Sequence, residues 1–321
     1  MEEQQLFFLG ASDHAQLRRT IANALSQRRV AELTERIRKT AETLLDAITP
    51  GVPVDLGEAF AWPFPVAALC DLLGIPPADH GLIYDYIFQA THPGTADAPE
   101  TSVADYLADL IERRRAAPGD DLLSDMCRDE STDTAHSAVL AAARLLIVVG
   151  PRPVAHLLTD GLALLLHERD RWETLLAKPH LLNGAVEELL RFVAPASLAF
   201  RYGREEVQIA GRSLPQGSRF YCSLLAANRD PARFADPDRF DLERPAGQHL
   251  AFGLGYRHCL GAALVRAEIR VALAVLLERF PQIRLATADE RFQVGADGGT
   301  RGGNMVVILD PSRYAPSWAT P

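Results

Sequence analysis

One stretch of the chain has residue types and spacing that could do chemistry: Phe252-Gly253-Leu254-Gly255-Tyr256-Arg257-His258-Cys259-Leu260-Gly261. It is a glycine-rich loop that delivers one cysteine just ahead of an apolar segment with helical periodicity. Glycines let a backbone fold closely around a sulfur and aim amide N–H groups at it, and the positive end of a helix favours a thiolate over a thiol. A stabilised thiolate is a metal ligand or a nucleophile. The other cysteines, Cys70, Cys127 and Cys222, are distant in sequence, and neither a C-x-x-C pair nor a paired histidine spacing occurs. A disulfide framework and a zinc finger are both disfavoured, so a cysteine that matters here acts alone.

A second stretch stands out because it breaks a pattern. From residue 137 to about residue 170 the chain is apolar enough for a long central helix, yet Gly150-Pro151-Arg152-Pro153-Val154 lies in its middle. Proline in a helix interior removes a backbone donor and costs ~3 kcal/mol, so this helix must bend or break there.

The elements that must position these two stretches read as mostly helical. Leu17, Ile21, Ala24 and Leu25 share one face over residues 12–26, and Leu33, Ile37, Ala41, Leu44, Leu45 and Ile48 repeat the pattern before Pro50-Gly51 ends it. Further helices are expected over residues 106–115, after a polar break at 91–101, then between Pro179 and Pro195, and over 260–280. The β content is small: Val207 and Ile209, a turn at Pro215-Gln216-Gly217 and residues 220–224 read as one hairpin, and residues 305–309 as a strand. No internal repeat or long linker forces a boundary, so residues 1–321 are expected to form a single domain.

Charge excludes several partners. With 33 Lys and Arg against 42 Asp and Glu, the formal charge is −9, which opposes both nucleic-acid binding and a polybasic hold on anionic lipid. No run approaches the ~18 consecutive apolar residues of a membrane span. The start, Met1-Glu2-Glu3-Gln4-Gln5, lacks the basic and apolar parts of an export signal, so a cytoplasmic protein is expected.

The order of aromatic, glycines, basic residue, cysteine and glycine over 252–261 resembles the haem-ligand loop of the cytochrome P-450 family. The resemblance implies a mainly α fold with small β-sheets, binding haem b through Cys259, with Phe252, Gly253, Arg257 and Gly261 as the rest of the loop. It begins at the helix bearing His14, which implies a fold shortened by the family's N-terminal strands and first helices. His14 and Arg18 resemble the family's haem-contacting pair, and Arg18, Arg201 and Arg257 are then the cations on the haem propionates. Glu188 and Arg191 match the Glu-x-x-Arg element, and Arg239 in Pro237-Asp238-Arg239-Phe240 matches the arginine that completes that structural ion-paired group. Asn228-Arg229-Asp230-Pro231 is similar to the family's meander.

At the central helix the family carries a Gly-x-acid-Thr element that relays protons, and here Gly150 is kept while acid and alcohol are replaced. The resemblance implies a monooxygenase that hydroxylates a small organic molecule of the secondary-metabolite type. Its electrons would come from a ferredoxin and ferredoxin reductase, with Arg19, Arg28, Arg29, Arg266 and Arg270 as a basic docking face. Arg152-Pro153 also resembles the family's peroxide-driven branch, in which the arginine binds a substrate carboxylate. A third reading is a catalytically silent helper for a partner enzyme such as a glycosyltransferase.

Overall fold

The computed structural model describes residues 15, 18–19, 21–22, 24–91, 100–128, 136–245, 249–286 and 305–310. In chain order the elements are α1 (Gln27–Asp46), β1 (Pro53–Asp55), α2 (Pro63–Leu73), α3 (His80–Thr91), α4 (Glu100–Ala116), α5 (Leu122–Cys127), α6 (His136–Val149) and α7 (Pro151–His167). Then follow α8 (Arg169–Ala177), α9 (Leu182–Val193), β2 (Leu198–Tyr202), β3 (Val207–Ile209), β4 (Arg212–Leu214) and β5 (Arg219–Ser223). The last elements among the described residues are α10 (Ala262–Arg279), β6 (Arg284–Leu285) and β7 (Val306–Ile308). The fold is mainly helical with small sheets, as the apolar spacing requires. It divides into two compact units, residues 1–159, 260–287 and 304–321 in one and residues 160–259 and 288–303 in the other.

The core of the first unit is built on the α1–α10 contact. Ser26 caps α1 by accepting from the Arg29 N–H, and Val30, Leu33, Ile37, Ala41 and Leu45 are buried on its inner face. Opposite them, α10 is buried nearly all round, through Leu264, Ala267, Val271, Ala272, Leu273, Val275 and Leu276. Each fully buried aliphatic side chain contributes ~1.5–3 kcal/mol, so this seam supplies a large share of the unit's stability. The strand expected at 305–309 is β7, which pairs antiparallel with both β1 (Val54 opposite Val307) and β6 (Leu285 opposite Val307).

The central helix breaks where the prolines stand. α6 ends at Val149, Gly150 still donates to the Leu146 carbonyl (2.9 Å), and Pro151 opens α7. Pro151 and Pro153 therefore fall in a first turn, whose N–H groups have no intrahelical acceptor anyway. Gly150 is required sterically, since a Cβ there would sit 2.5 Å from the Leu146 carbonyl oxygen. Residues Ser137–His167 have the length and apolarity of a membrane span. Their inner positions, Val139, Ala142, Ala143, Ile147 and Leu157, are fully buried, and α6 packs on α3, α4 and α5.

The second unit corrects the expected hairpin. β3 pairs with β4, not with residues 220–224, through a tight turn at Ala210-Gly211 whose φ values are 49° and 76°. Two successive left-handed residues give the turn twist that a two-residue hairpin needs. Pro215-Gln216-Gly217 instead turns the chain into β5, whose antiparallel partner is β2, with Arg201 opposite Phe220. Leu224 belongs to the next helical turn.

Candidate functional site

The cysteine loop is shaped by its glycines. Gly253 (φ 68°) and Gly255 (φ 72°) are left-handed, where side-chain-bearing residues are strained. Gly253 N–H donates to the Leu250 carbonyl at 2.8 Å and His258 N–H to the Gly255 carbonyl at 2.9 Å. Cys259 N–H donates to the Phe252 carbonyl at 2.9 Å, which closes the loop between its aromatic residue and its cysteine. The Phe252 ring packs between the rings of His249 (5.9 Å) and His258 (6.2 Å). Cys259 is exposed, whereas Cys70 is buried and its thiol is pushed up to about 12 by burial and then by Asp71. Cys70 is thus inert packing and Cys259 an accessible donor.

The loop's upstream arm is fastened to α9. His249 Nε2 lies 3.1 Å from Glu187 Oε2, and Leu250 N–H donates to Asn228 Oδ1 at 2.6 Å. The Asn228 carbonyl in turn accepts from Arg191 Nη1 at 2.8 Å. Arg191 is almost fully buried, and its bidentate pair with Glu188 (2.7 and 2.8 Å) is completed by bonds to the Pro237 and Arg239 carbonyls. All of its N–H donors are thereby matched, which is the condition for holding a buried guanidinium.

Here the expected role of Arg239 is corrected. The second guanidinium on Glu188 is that of Arg244, whose Nε is 3.1 Å from Oε1. Arg239 is exposed and contributes its carbonyl, which accepts from both Arg191 and Arg244. Both arginines lie in Asp238-Arg239-Phe240-Asp241-Leu242-Glu243-Arg244, and burial of Phe240 and Leu242 turns Arg239 outward. Sequence reasoning missed Arg244, Asn228 Oδ1 and the Glu187–His249 pair; the only sequence signal for Arg244 was its place in the same short segment.

One of the expected cations lies beside a phenol, and a second acts on it through charge alone. The Arg257 guanidinium lies 5.5 Å from the Tyr256 ring centroid. The Tyr256 hydroxyl is held below its ordinary range by a hydrogen bond and charge from Arg257, then by the charges of Arg201 and Arg204. Arg204, three residues beyond Arg201, was not anticipated. Arg18 is half-buried on a helical segment of the first unit, and His14 lies outside the described residues.

This donor set fits a haem. Among the described residues no group of three His, Cys, Asp or Glu side chains could hold a metal by itself. One accessible thiol suits an iron that brings its own ring of nitrogen ligands, and neighbouring guanidiniums suit two propionates.

The central-helix element lies in the first unit. Arg152 is exposed and makes no hydrogen bond or ion pair among the described residues. One turn on, the His156 ring is edge-on to Trp62 at 5.3 Å. Burial, and then the Arg152 charge, lowers the imidazole to about 4, so it is neutral at physiological pH. Farther along α7, burial raises Asp160 to about 7, with its Oδ1 unpartnered among the described residues. On α10, burial raises Glu268 to about 8.

The proposed docking face also changes. Arg29 is turned inward, bonded to Asp120 (2.6 Å) and Asp125 (2.9 Å) with its side chain 16% exposed, so it is spent on packing α1 against the α5 region. In the second unit a cleft of about 870 Å³ is lined by Arg171, Lys178, Phe240 and Glu243 among others, none of them in the cysteine loop. Two of its cations are paired, Lys178 with Glu243 and Arg171 with Glu168.

The family profile described as cytochrome P-450 matches residues 165–289. The chain is 39% identical over 299 residues to mycinamicin IV hydroxylase/epoxidase of Micromonospora griseorubida, covering 90% of this chain and 75% of that protein. It is 38% identical over 296 residues to pentalenic acid synthase of Streptomyces avermitilis, covering 89% and 74%. Among solved structures, the bacillaene polyketide synthase cytochrome P-450 PksS of Bacillus subtilis superposes with a TM-score of 0.84 at 30% identity, covering 95% and 81%. The ligand-free monooxygenase TamI superposes with 0.81 at 36% identity, covering 88% and 70%.

Proposed function

The chain belongs to the cytochrome P-450 family of haem-thiolate monooxygenases acting on small organic molecules, and from that premise we propose that Cys259 is its iron ligand and that Arg201 and Arg257, with Arg204, hold the haem carboxylates. The observation that carries this reading is the anchoring of the cysteine loop, from the buried Glu188–Arg191 pair through Asn228 and Leu250 to Cys259. When bound through Cys259, haem b would supply the activation of dioxygen. This chain's residues supply the rest. The loop N–H groups and glycines keep the sulfur accessible in one position, and the arginines fix the cofactor's anionic edge.

On the substrate side, Arg152 contacts a polar or anionic group of the substrate. Its support is the exposed guanidinium without a hydrogen bond or ion pair among the described residues, beside a neutral His156. The substrate class is a secondary metabolite, by analogy with the relatives named for hydroxylation or epoxidation of mycinamicin IV and for synthesis of pentalenic acid. Electrons come from a ferredoxin and its reductase, and the protein works in the cytoplasm.

Arg152-Pro153 also supports a second reading, a peroxide-driven hydroxylation in which the substrate's carboxylate, held by Arg152, performs the proton transfer that no acid–alcohol pair is present to perform. The deciding experiment is the reduced, carbon-monoxide-bound spectrum of the purified holoprotein, followed by turnover with NADH and a ferredoxin system or with hydrogen peroxide. A red-shifted thiolate Soret band in the native protein, absent in Cys259→Ala, is expected. A native protein with haem and no such band overturns the assignment of Cys259.

A further inference from the structure

Asn228 joins the buried ion cluster to the cysteine loop. It is fully buried. Its backbone carbonyl accepts from Arg191 Nη1 at 2.8 Å, and its side-chain Oδ1 accepts from Leu250 N–H at 2.6 Å. Leu250 passes the constraint on, because its carbonyl accepts from Gly253 N–H at 2.8 Å, and two residues later Phe252 accepts from Cys259 N–H at 2.9 Å. Every link lies within the second unit and ties α9 to a loop that contains two left-handed glycines.

The other half of the Asn228 amide is left unmatched, since Nδ2 is buried and has no hydrogen-bond partner among the described residues. A buried donor without a partner is costly and is seldom retained without a compensating role. An apolar residue of similar size would fill the same volume without stranding a donor, but it could not accept from Leu250. Asn228 is therefore placed for its oxygen, not for its packing.

We infer that Asn228 is a positioning residue for the thiolate ligand, its Oδ1 fixing the entry to the cysteine loop so that Cys259 is presented to iron as a thiolate in one geometry. It touches neither substrate nor cofactor and acts through Leu250 and Phe252. The inference rests on Cys259 being the iron ligand, and the two fail in different ways: a native protein without a thiolate Soret band removes the ligand assignment, whereas a native band that no Asn228 substitution alters removes only this inference.

The test uses the holoprotein and compares substitutions that differ in the acceptor. Asn228→Asp keeps an oxygen where Oδ1 stands, Asn228→Ala removes it, and Asn228→Ser leaves a hydroxyl one atom short of Leu250. The readouts are the fraction of reduced carbon-monoxide complex in the thiolate form, the haem reduction potential and far-ultraviolet helicity. Asn228→Ala and Asn228→Ser are expected to lose at least half of the thiolate form and to shift the potential at unchanged helicity, while Asn228→Asp keeps the native spectrum. If Asn228→Ala fails to fold, the Ser and Asp variants carry the comparison. Equal spectra and potentials for Ser and Asp overturn the inference, as does a native spectrum in Asn228→Ala.

Discussion

At the cysteine loop a run of hydrogen bonds leads from the buried Glu188–Arg191 pair to Cys259. At the α6–α7 junction, by contrast, two prolines withhold their donors, Arg152 ends in solvent and His156 is a neutral imidazole beside Trp62. Both regions depart from regular structure, and both depend on glycine at a crowded or left-handed position. The difference lies in what is already satisfied. The loop's backbone is held by the chain's own hydrogen bonds. At the junction Arg152 makes no hydrogen bond or ion pair among the described residues, so a ligand group can make a charge-assisted bond there.

The comparison can be broken at the loop first. Cys259→Ala should abolish the thiolate Soret band and turnover together while helicity is kept; a variant with residual thiolate-type absorption would show that another residue ligates the iron. The next largest effect belongs to the buried cluster. Removing one partner strands the other charge, so Glu188→Gln or Arg191→Ala should cost about 3–5 kcal/mol in urea unfolding. Arg244→Gln should cost less, because its side chain is at the rim of the cluster, and Arg239→Gln should stay within ~0.5 kcal/mol. Equal losses for Arg239 and Arg244 would contradict the arrangement described above.

A pH experiment probes α7 beyond the junction. The folded Asp160 carboxyl, at about 7, lies above its ordinary 3.8, so the native state holds this proton more tightly than the unfolded chain does. Stability is therefore undiminished by this group below pH ~4, falls as pH rises from there to about 7, and then levels off. Asp160→Asn should remove that loss, giving a gain on the order of 3 kcal/mol at pH 8 over its effect at pH 4. A pH-independent effect would mean that Asp160 is paired in solution.

The smallest effect on stability is expected at Arg152. Arg152→Gln should change unfolding free energy by less than ~0.5 kcal/mol and leave the Soret band intact, because the side chain is exposed and unbonded. It should nevertheless weaken binding of a carboxylate ligand such as octanoate by about tenfold while leaving octanol unchanged, as measured by titration of the holoprotein. Equal weakening for both would assign Arg152 a packing role.

The sequence alone was enough for everything whose cause is local. The order of glycines, arginine and cysteine over 252–261 fixes a loop and an accessible sulfur, because left-handed turns and a following helix need only neighbouring residues. Helical faces such as Leu33–Ile37–Ala41 and the break at Pro151 are equally local. What depended on distant partners had to wait for the tertiary structure. β5 could pair with β2 or with β3 on pattern alone, and only the Ala210-Gly211 turn, by joining β3 to β4, settled it. Arg29 reads as a surface cation until Asp120 and Asp125, far along the chain, are brought to it. Arg239 and Arg244 are interchangeable in sequence, and the choice between them was made by burial of Phe240 and Leu242, which turns one arginine to solvent and the other onto Glu188. A buried charge accepts only partners that packing delivers within hydrogen-bond reach, and that delivery is a property of the whole fold.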